Sequence, residues 1–221
     1  MWCEKRSFTG LKMSVKEIRK ICSTISTSLL KWRLASKEGK IILEVINQKL
    51  FATDNKNEEP EEKEAPDVDK KEFDEELNMK CNQLQDILGR MRDILTEIES
   101  GEEKSLGLSQ LCDLSSSSSI SPQKTNHSLL NSSNSHNSSV IELDNSVLNT
   151  NDLTKWTRVI TSSYRAQLKM NEIVCRNICH LDTRAEALFH TSIWVCQPAL
   201  STEVEAASLA VEQTLKSSQS Q

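Results

Sequence analysis

From Leu153 to Ile178 one apolar face holds for about seven helical turns, through Trp156, Ile160, Tyr164, Leu168 and Cys175. Spacings of three and four residues suit a helix; a strand face would repeat every second residue. A chain carrying such a stripe has to cover it, with its own helices or with a partner. The pattern recurs twice upstream. Val15, Ile18, Cys22, Ile25, Leu29 and Trp32 keep one heptad frame, which Leu43, Ile46 and Leu50 resume. Phe73, Leu77, Leu84, Ile87, Met91, Ile94 and Ile98 keep another, widened by Cys81, Leu88 and Leu95. No segment alternates with period two for long enough to predict a strand, and the low aromatic content, 4%, agrees with helices. The expected fold is all-α, an elongated helical bundle or coiled coil with long disordered linkers.

Punctuation along the chain predicts the boundaries. Ser14-x-x-Glu17 is a capping box, in which each side chain satisfies a backbone donor left free at a helix start. Ser36 and Gly39 occupy apolar positions of the first frame; glycine inside a helix costs about 1 kcal/mol relative to alanine, which predicts a kink or tight turn over Ser36–Lys40. The acidic, proline-containing DNKNEEPEEKEAPDV cannot bury a face and is expected as a linker. Asp69 with Glu72 repeats the capping signature, and Ser100-Gly101 is expected to stop that helix. Ser and Asn dominate 105–150, where side chains compete for backbone hydrogen bonds. Asn151-Asp152, Thr183-x-x-Glu186 and Thr202-x-x-Glu205 open three more helices, and Pro198 closes the second of them. The predicted organisation is a flexible tail over 1–13, an amphipathic helical segment over 14–52, an acidic linker over 53–69 and a central helix over 70–100. A Ser/Asn-rich disordered linker over 101–150, a C-terminal helical region over 151–216 and a tail over 217–221 complete it.

Charge is uneven under a net value of −5: residues 1–53 hold 11 basic and 4 acidic side chains, residues 54–104 hold 8 and 18. Pairing within the chain explains this as well as an external partner does, and without a basic stripe interleaved with aromatics no direct nucleic-acid contact is expected. No apolar run is long enough to span a bilayer, so no membrane contact is expected either. Seven scattered cysteines, an odd number without a preceding signal segment, are expected as free thiols in a reducing compartment.

Tests for chemistry fail one after another. Cys175, Cys179 or Cys196 with His180 or His190 would make a cysteine nucleophile and its base, but no glycine-rich turn or loop scaffold positions them. Cys175 and Cys179, four apart on an amphipathic helix, are more simply core residues. The same group lacks a matched second pair for tetrahedral zinc. There is no phosphate loop and no dinucleotide fingerprint. No catalytic residue, cofactor or metal ligand is expected.

Three features remain. Ser121-Pro122-Gln123-Lys124 matches the substrate pattern of proline-directed cyclin-dependent kinases, and Val140–Asp144 has the composition of a segment that adds a strand to a partner's sheet. The stretch SIWVCQP, Ser192 to Pro198, packs a Trp, a Cys and a Gln against a helix-ending proline. Trp194 supplies a large apolar area there, for the chain's own core by preference or else for a partner.

Leu29–Trp32 (LLKW) with Gly39 seven residues later, Tyr164-Arg165, His180 and then Ser192, Trp194, Gln197 and Pro198 together resemble the cyclin-dependent kinase 2-interacting protein family. The likeness covers the three helical regions, about two-thirds of the chain; the long Ser/Asn linker is extra, and Leu181-Asp182 stands where a Gly or Pro neighbourhood is expected. It implies a non-enzymatic adaptor in a hetero-oligomer, nuclear, with the cytoplasm as a second location. The partners implied are a cyclin-dependent kinase, an origin-firing kinase, a checkpoint adaptor, AAA-type ATPases and another helical subunit. The associated processes are DNA replication, its checkpoint and maturation of the large ribosomal subunit. Candidate partner-binding residues are Trp32, Trp156, Tyr164, Arg165, Trp194, Gln197 and Pro198, with Arg165 also readable as an ordinary surface charge; Ser121 is the candidate phosphorylation site. The alternative reading is a phosphorylation-regulated coiled-coil protein whose essential feature is the segment around Ser121.

Overall fold

The computed structural model describes residues 4–51, 67–117, 140–143, 146–181 and 183–217. The fold is all-α. Its helices among the described residues are α1 (Glu4–Leu50), α2 (Asp67–Ser117), α3 (Thr150–Asn177), α4 (Arg184–Cys196) and α5 (Thr202–Ser217), with a 3-10 turn, Ile178–His180, following α3. One short antiparallel hairpin precedes α3: β1 (Val140–Leu143) pairs with β2 (Ser146–Asn149) in the register Val140 to Asn149 and Leu143 to Ser146.

The helices are longer than their capping signals predict. α1 begins at Glu4, so Ser14 and Glu17 lie inside it and the expected flexible tail is largely helix. α2 begins at Asp67, ahead of Asp69, and continues past Ser100-Gly101 to Ser117. α1 also runs unbroken through Ser36 and Gly39, where a turn was expected. The span expected to be a disordered linker, 101–150, therefore contains the last four turns of α2 and the hairpin. The segment expected to seek a partner's sheet edge pairs instead within its own chain. Ser121, most of the acidic linker and the rest of the Ser/Asn-rich segment lie outside the described residues.

The chain divides into two compact units, one formed by Met1–Ser26, Glu97–Thr161 and Glu203–Gln221, the other by Thr27–Thr96 and Ser162–Thr202. In the first, an aliphatic core that includes Ile18, Ile25, Ile98, Leu153 and Ile160 is flanked by a seam of small residues. A Cβ added to Gly101 of α2 would lie 2.9 Å from Ile25 Cγ1 of α1, so the missing side chain lets the two helices approach. One and two turns further along α2, Ser105 and Ser109 face α3: the hydroxyls of Ser105 and Thr157 lie 2.8 Å apart, Thr154 donates to the Ser105 carbonyl at 3.1 Å, and Ser109 bonds Asn151. Thr154, Thr157 and Thr161 also donate back to the carbonyl of the preceding turn of α3, at 3.0, 3.0 and 2.9 Å, so these buried hydroxyls are satisfied. α5 contributes Val204, Ala207, Ser208, Val211 and Thr214, again mostly small.

The second unit packs large side chains. Leu29, Trp32 and Leu43 of α1, Leu84, Leu88 and Met91 of α2, Leu168 and Val174 of α3, and Trp194 of α4 are buried. Two cysteines are joined, Cys81 of α2 to Cys179 in the turn after α3, which corrects the expectation of seven free thiols. Ion pairs follow only part of the charge asymmetry. Lys49 of α1 meets Glu76 of α2, but Glu38 of α1 meets Arg90 in the opposite sense, and Arg92 reaches Glu172 of α3 at 3.0 Å.

Candidate functional site

The candidate residues that sequence singled out separate into a buried cluster and a surface set, and the buried cluster is organised around the end of α4. Thr183 caps the start of that helix, accepting from the Glu186 N–H at 3.3 Å and donating to the Glu186 carboxylate at 3.0 Å. The far end closes on Gln197, whose backbone is left-handed (φ 46°, ψ 62°) and whose N–H reaches the Ile193 carbonyl. A non-glycine residue pays a steric cost in that conformation, of order 1 kcal/mol. Pro198 follows and cannot continue the helix.

Gln197 is held there by its side chain. Trp32 Nε1–H donates to Gln197 Oε1 at 3.1 Å, and the Gln197 amide donates to the Ser36 hydroxyl. Trp194, fully buried, lays its indole over Gly39 of α1 so closely that a Cβ there would stand 2.2 Å from Cζ2. Its Nε1–H donates to the Ser36 carbonyl at 3.0 Å. Trp32 in turn meets Tyr164 of α3 edge to face, ring centres 4.9 Å apart. Gln167, one residue short of a full turn beyond Tyr164 and fully buried, grips the same helix end: its Nε2 donates to Asn171 Oδ1 at 2.9 Å and the Ile193 carbonyl at 3.3 Å, and its Oε1 accepts from the Ala199 N–H at 3.2 Å.

Trp32, Tyr164, Trp194 and Gln197 are thus one core cluster that fixes α4 against α1 and α3. Burial raises the Tyr164 hydroxyl above its ordinary pKa, with Arg33 opposing, so it stays neutral. Trp156 is half-buried in the other unit, and Arg165 and Pro198 are exposed. Ser36, Gly39 and Gln167 were not recognised as members. The signal was present: a serine and a glycine in core positions of a heptad frame, and a glutamine beside the apolar stripe of α3, are where a helix accepts a large or polar neighbour.

With its inner side pinned, α4 presents an apolar outer side. Leu188 is 56% exposed, Phe189 62% and Val195 41%. Beside it, a cleft of about 380 Å³ opens between Asn47 of α1 and Phe51 just after it, on one side, and Arg184 and Leu188 of α4 on the other. Asn47 Nδ2–H closes one wall by donating to Thr191 at 2.7 Å.

The buried cysteines offer little reactivity. Burial pushes the Cys175 thiol up to about 12, and Cys22 likewise up to about 12. Cys179 is bonded to Cys81, Cys196 is exposed, and His190 stacks edgewise on Phe189 at 5.8 Å. Among the described residues no three His, Cys, Asp or Glu side chains gather as a metal ion requires, and no helix is long and apolar enough to cross a membrane. Neither the family models nor the curated proteins include a match to this chain.

Proposed function

We propose that the chain is a non-enzymatic helical adaptor, a bundle or coiled-coil subunit of a hetero-oligomer, of the kind its resemblance to cyclin-dependent kinase 2-interacting proteins implies. The observation that carries this reading is the two-sidedness of α4. One side is locked by Trp194, Gln197 and Gln167, while Leu188, Phe189 and Val195 face outward. Exposed apolar side chains on a rigidly held helix are an interaction surface in the making, and burial holds the Cys22 and Cys175 thiols neutral. The partners are those of the resemblance: a cyclin-dependent kinase and an origin-firing kinase, a checkpoint adaptor, AAA-type ATPases and another helical subunit, with nuclear residence.

Affinity purification of the tagged full chain from dividing cells, read by mass spectrometry, tests this. Recovery of kinases, ATPases or a helical companion is expected, with loss of at least one in Leu188→Asp/Phe189→Asp. Recovery of none by the unmutated chain would sink the adaptor reading.

A second reading rests on Ser121-Pro122-Gln123-Lys124, a substrate pattern for proline-directed kinases. Deleting 118–139 separates the two and spares Ser105 and Ser109, which the first unit needs. Assembly that survives the deletion supports the adaptor; function lost with assembly intact supports the phosphorylation switch.

A further inference from the structure

Within the second unit, α1 carries an outward row as well as an inward one. Leu30, Leu34 and Ile41 are 53%, 60% and 60% exposed. At about 100° per residue these three positions fall within about 40° of one another, on the side of the helix opposite Leu29, Trp32 and Leu43. Among the described residues, packing buries the inner row and leaves the outer one exposed. Exposed Arg33, Lys37 and Lys40 border it. Arg33 and Lys37 form no ion pair with a described residue, Lys40 holds Glu44 across solvent at 3.7 Å, and the one carboxylate within the row, Glu38, is already engaged by Arg90. Glu38 is accordingly held below the ordinary carboxylate range by that hydrogen bond. A strip that is both greasy and positive, on a chain of net charge −5, has a definite complement.

We propose that this face of α1 seats an acidic amphipathic helix from a partner protein, leucine-type side chains packing among Leu30, Leu34 and Ile41 and carboxylates meeting Arg33, Lys37 and Lys40. The inference rests on the adaptor reading and names the chemistry of one of its partners. The row runs about 16 Å along the axis, the length of three helical turns, which suits one docked helix. Nucleic acid would use the cations but leave three aliphatic side chains unmatched, and the strip has no aromatic on which a base could stack. A membrane surface calls for a broad apolar face, and the broad face of α1 is spent on the protein's own core.

The test uses the full chain and a fluorescein-labelled helical peptide of three heptads, leucine at the core positions and glutamate on the flanks, whose charge keeps it from self-pairing. Its controls are the same peptide with lysine for glutamate, a short DNA duplex and phosphatidylserine-containing vesicles. Anisotropy should show the acidic peptide binding, more weakly as salt rises, and the lysine peptide not binding. Leu34→Glu and, separately, Ile41→Glu should each weaken it by about tenfold or more, and Lys37→Glu by severalfold, with circular dichroism and Tm unchanged because these side chains are exposed. Equal binding of both peptides, indifference to Leu34→Glu and Ile41→Glu, or preference for duplex or vesicles through the same residues overturns the proposal. If the peptide fails while the tagged chain still retrieves its partners, this seat is wrong and the adaptor reading stands.

Discussion

The two units each bring long helices together over an aliphatic core, Ile18, Ile25, Ile98 and Leu153 in one and Leu29, Leu43, Leu84 and Leu88 in the other, but close the space beside a helix glycine with different materials. In the unit containing Trp194 a bulky ring is driven into a gap left by Gly39, and the polar atoms that this buries are each paired: indole N–H to the Ser36 carbonyl, Gln197 to Trp32 and Ser36, Gln167 to the end of α4. In the unit containing Gly101 the helices close on Ser105, Ser109, Thr154 and Thr157, whose hydroxyls bond across the seam and back onto their own helices. One is a plug and the other a zipper. A plug concentrates its energy in a few atoms; a zipper spreads it over many weak contacts, and the two should fail differently when altered.

The largest effect should come from pulling the plug. Trp194→Ala removes a fully buried ring together with its bond to the Ser36 carbonyl, and should cost about 4 kcal/mol in urea unfolding of the full chain. Gly39→Ala attacks the same contact from the other side. Its Cβ would meet rigid ring atoms at 2.2, 2.6 and 2.8 Å, so overpacking should outweigh the gain in helix propensity and leave a net loss of about 2 kcal/mol. Gly101→Ala is the matched test in the other unit: its Cβ meets only Ile25 Cγ1 at 2.9 Å and Cδ1 at 3.1 Å, a side chain able to shift, and the propensity gain of about 1 kcal/mol should nearly cancel the crowding. Equal losses in the two glycine variants would erase the distinction between plug and zipper. Ser105→Ala, which leaves Thr157 with its Thr154 bond, should cost only about 1 kcal/mol by the same measurement.

The smallest effects concern the buried thiols, one per unit. Cys22 and Cys175 are each pushed from an ordinary 9.0 up to about 12 by burial. Below about pH 9 both folded and unfolded thiols are protonated and stability is unaffected; above it the unfolded thiols ionise while the folded ones do not, so stability should be lost as pH rises from about 9 towards 12. A modest fall in the urea midpoint between pH 8 and 10, reduced in Cys22→Ala, checks this. At pH 8 a maleimide should label exposed Cys196 and half-buried Cys112 first, then Cys22 of the zipper, then Cys175 of the plug, since the unit whose seam is made of small residues opens at lower free energy. Peptide mass spectrometry over time gives the order, and labelling of Cys175 before Cys22 would reverse the ranking.

Particular residues show how far the sequence could be read. The apolar frames needed only periodicity, so Ile18, Cys22, Ile25, Leu29 and Trp32, or Ile160, Tyr164 and Leu168, were legible as core. Gly39 and Gly101 were legible only as helix weaknesses, because propensity is a local quantity and the side chain that fills each gap is distant in sequence: Trp194 and Ile25. Trp194 and Gln197 stood out by their motif, but their neighbours Ser36 and Gln167 did not, since hydrogen bonds spanning 161 and 26 residues leave no local trace. The Cys81–Cys179 pair, 98 residues apart, was equally hidden.

By itself the sequence determined that this chain is helical and which face of each long helix turns inward, because burying an amphipathic stripe follows from spacing alone. Only the tertiary structure decided that two apparent breaks are sockets, that the Trp-x-x-Gln-Pro signature clamps α4 to α1, and that Leu30, Leu34, Ile41, Leu188 and Phe189 are left outside. The physical reason is that a gap or a surplus apolar side chain acquires its meaning from what lies against it, and that is fixed by packing between segments far apart in the chain.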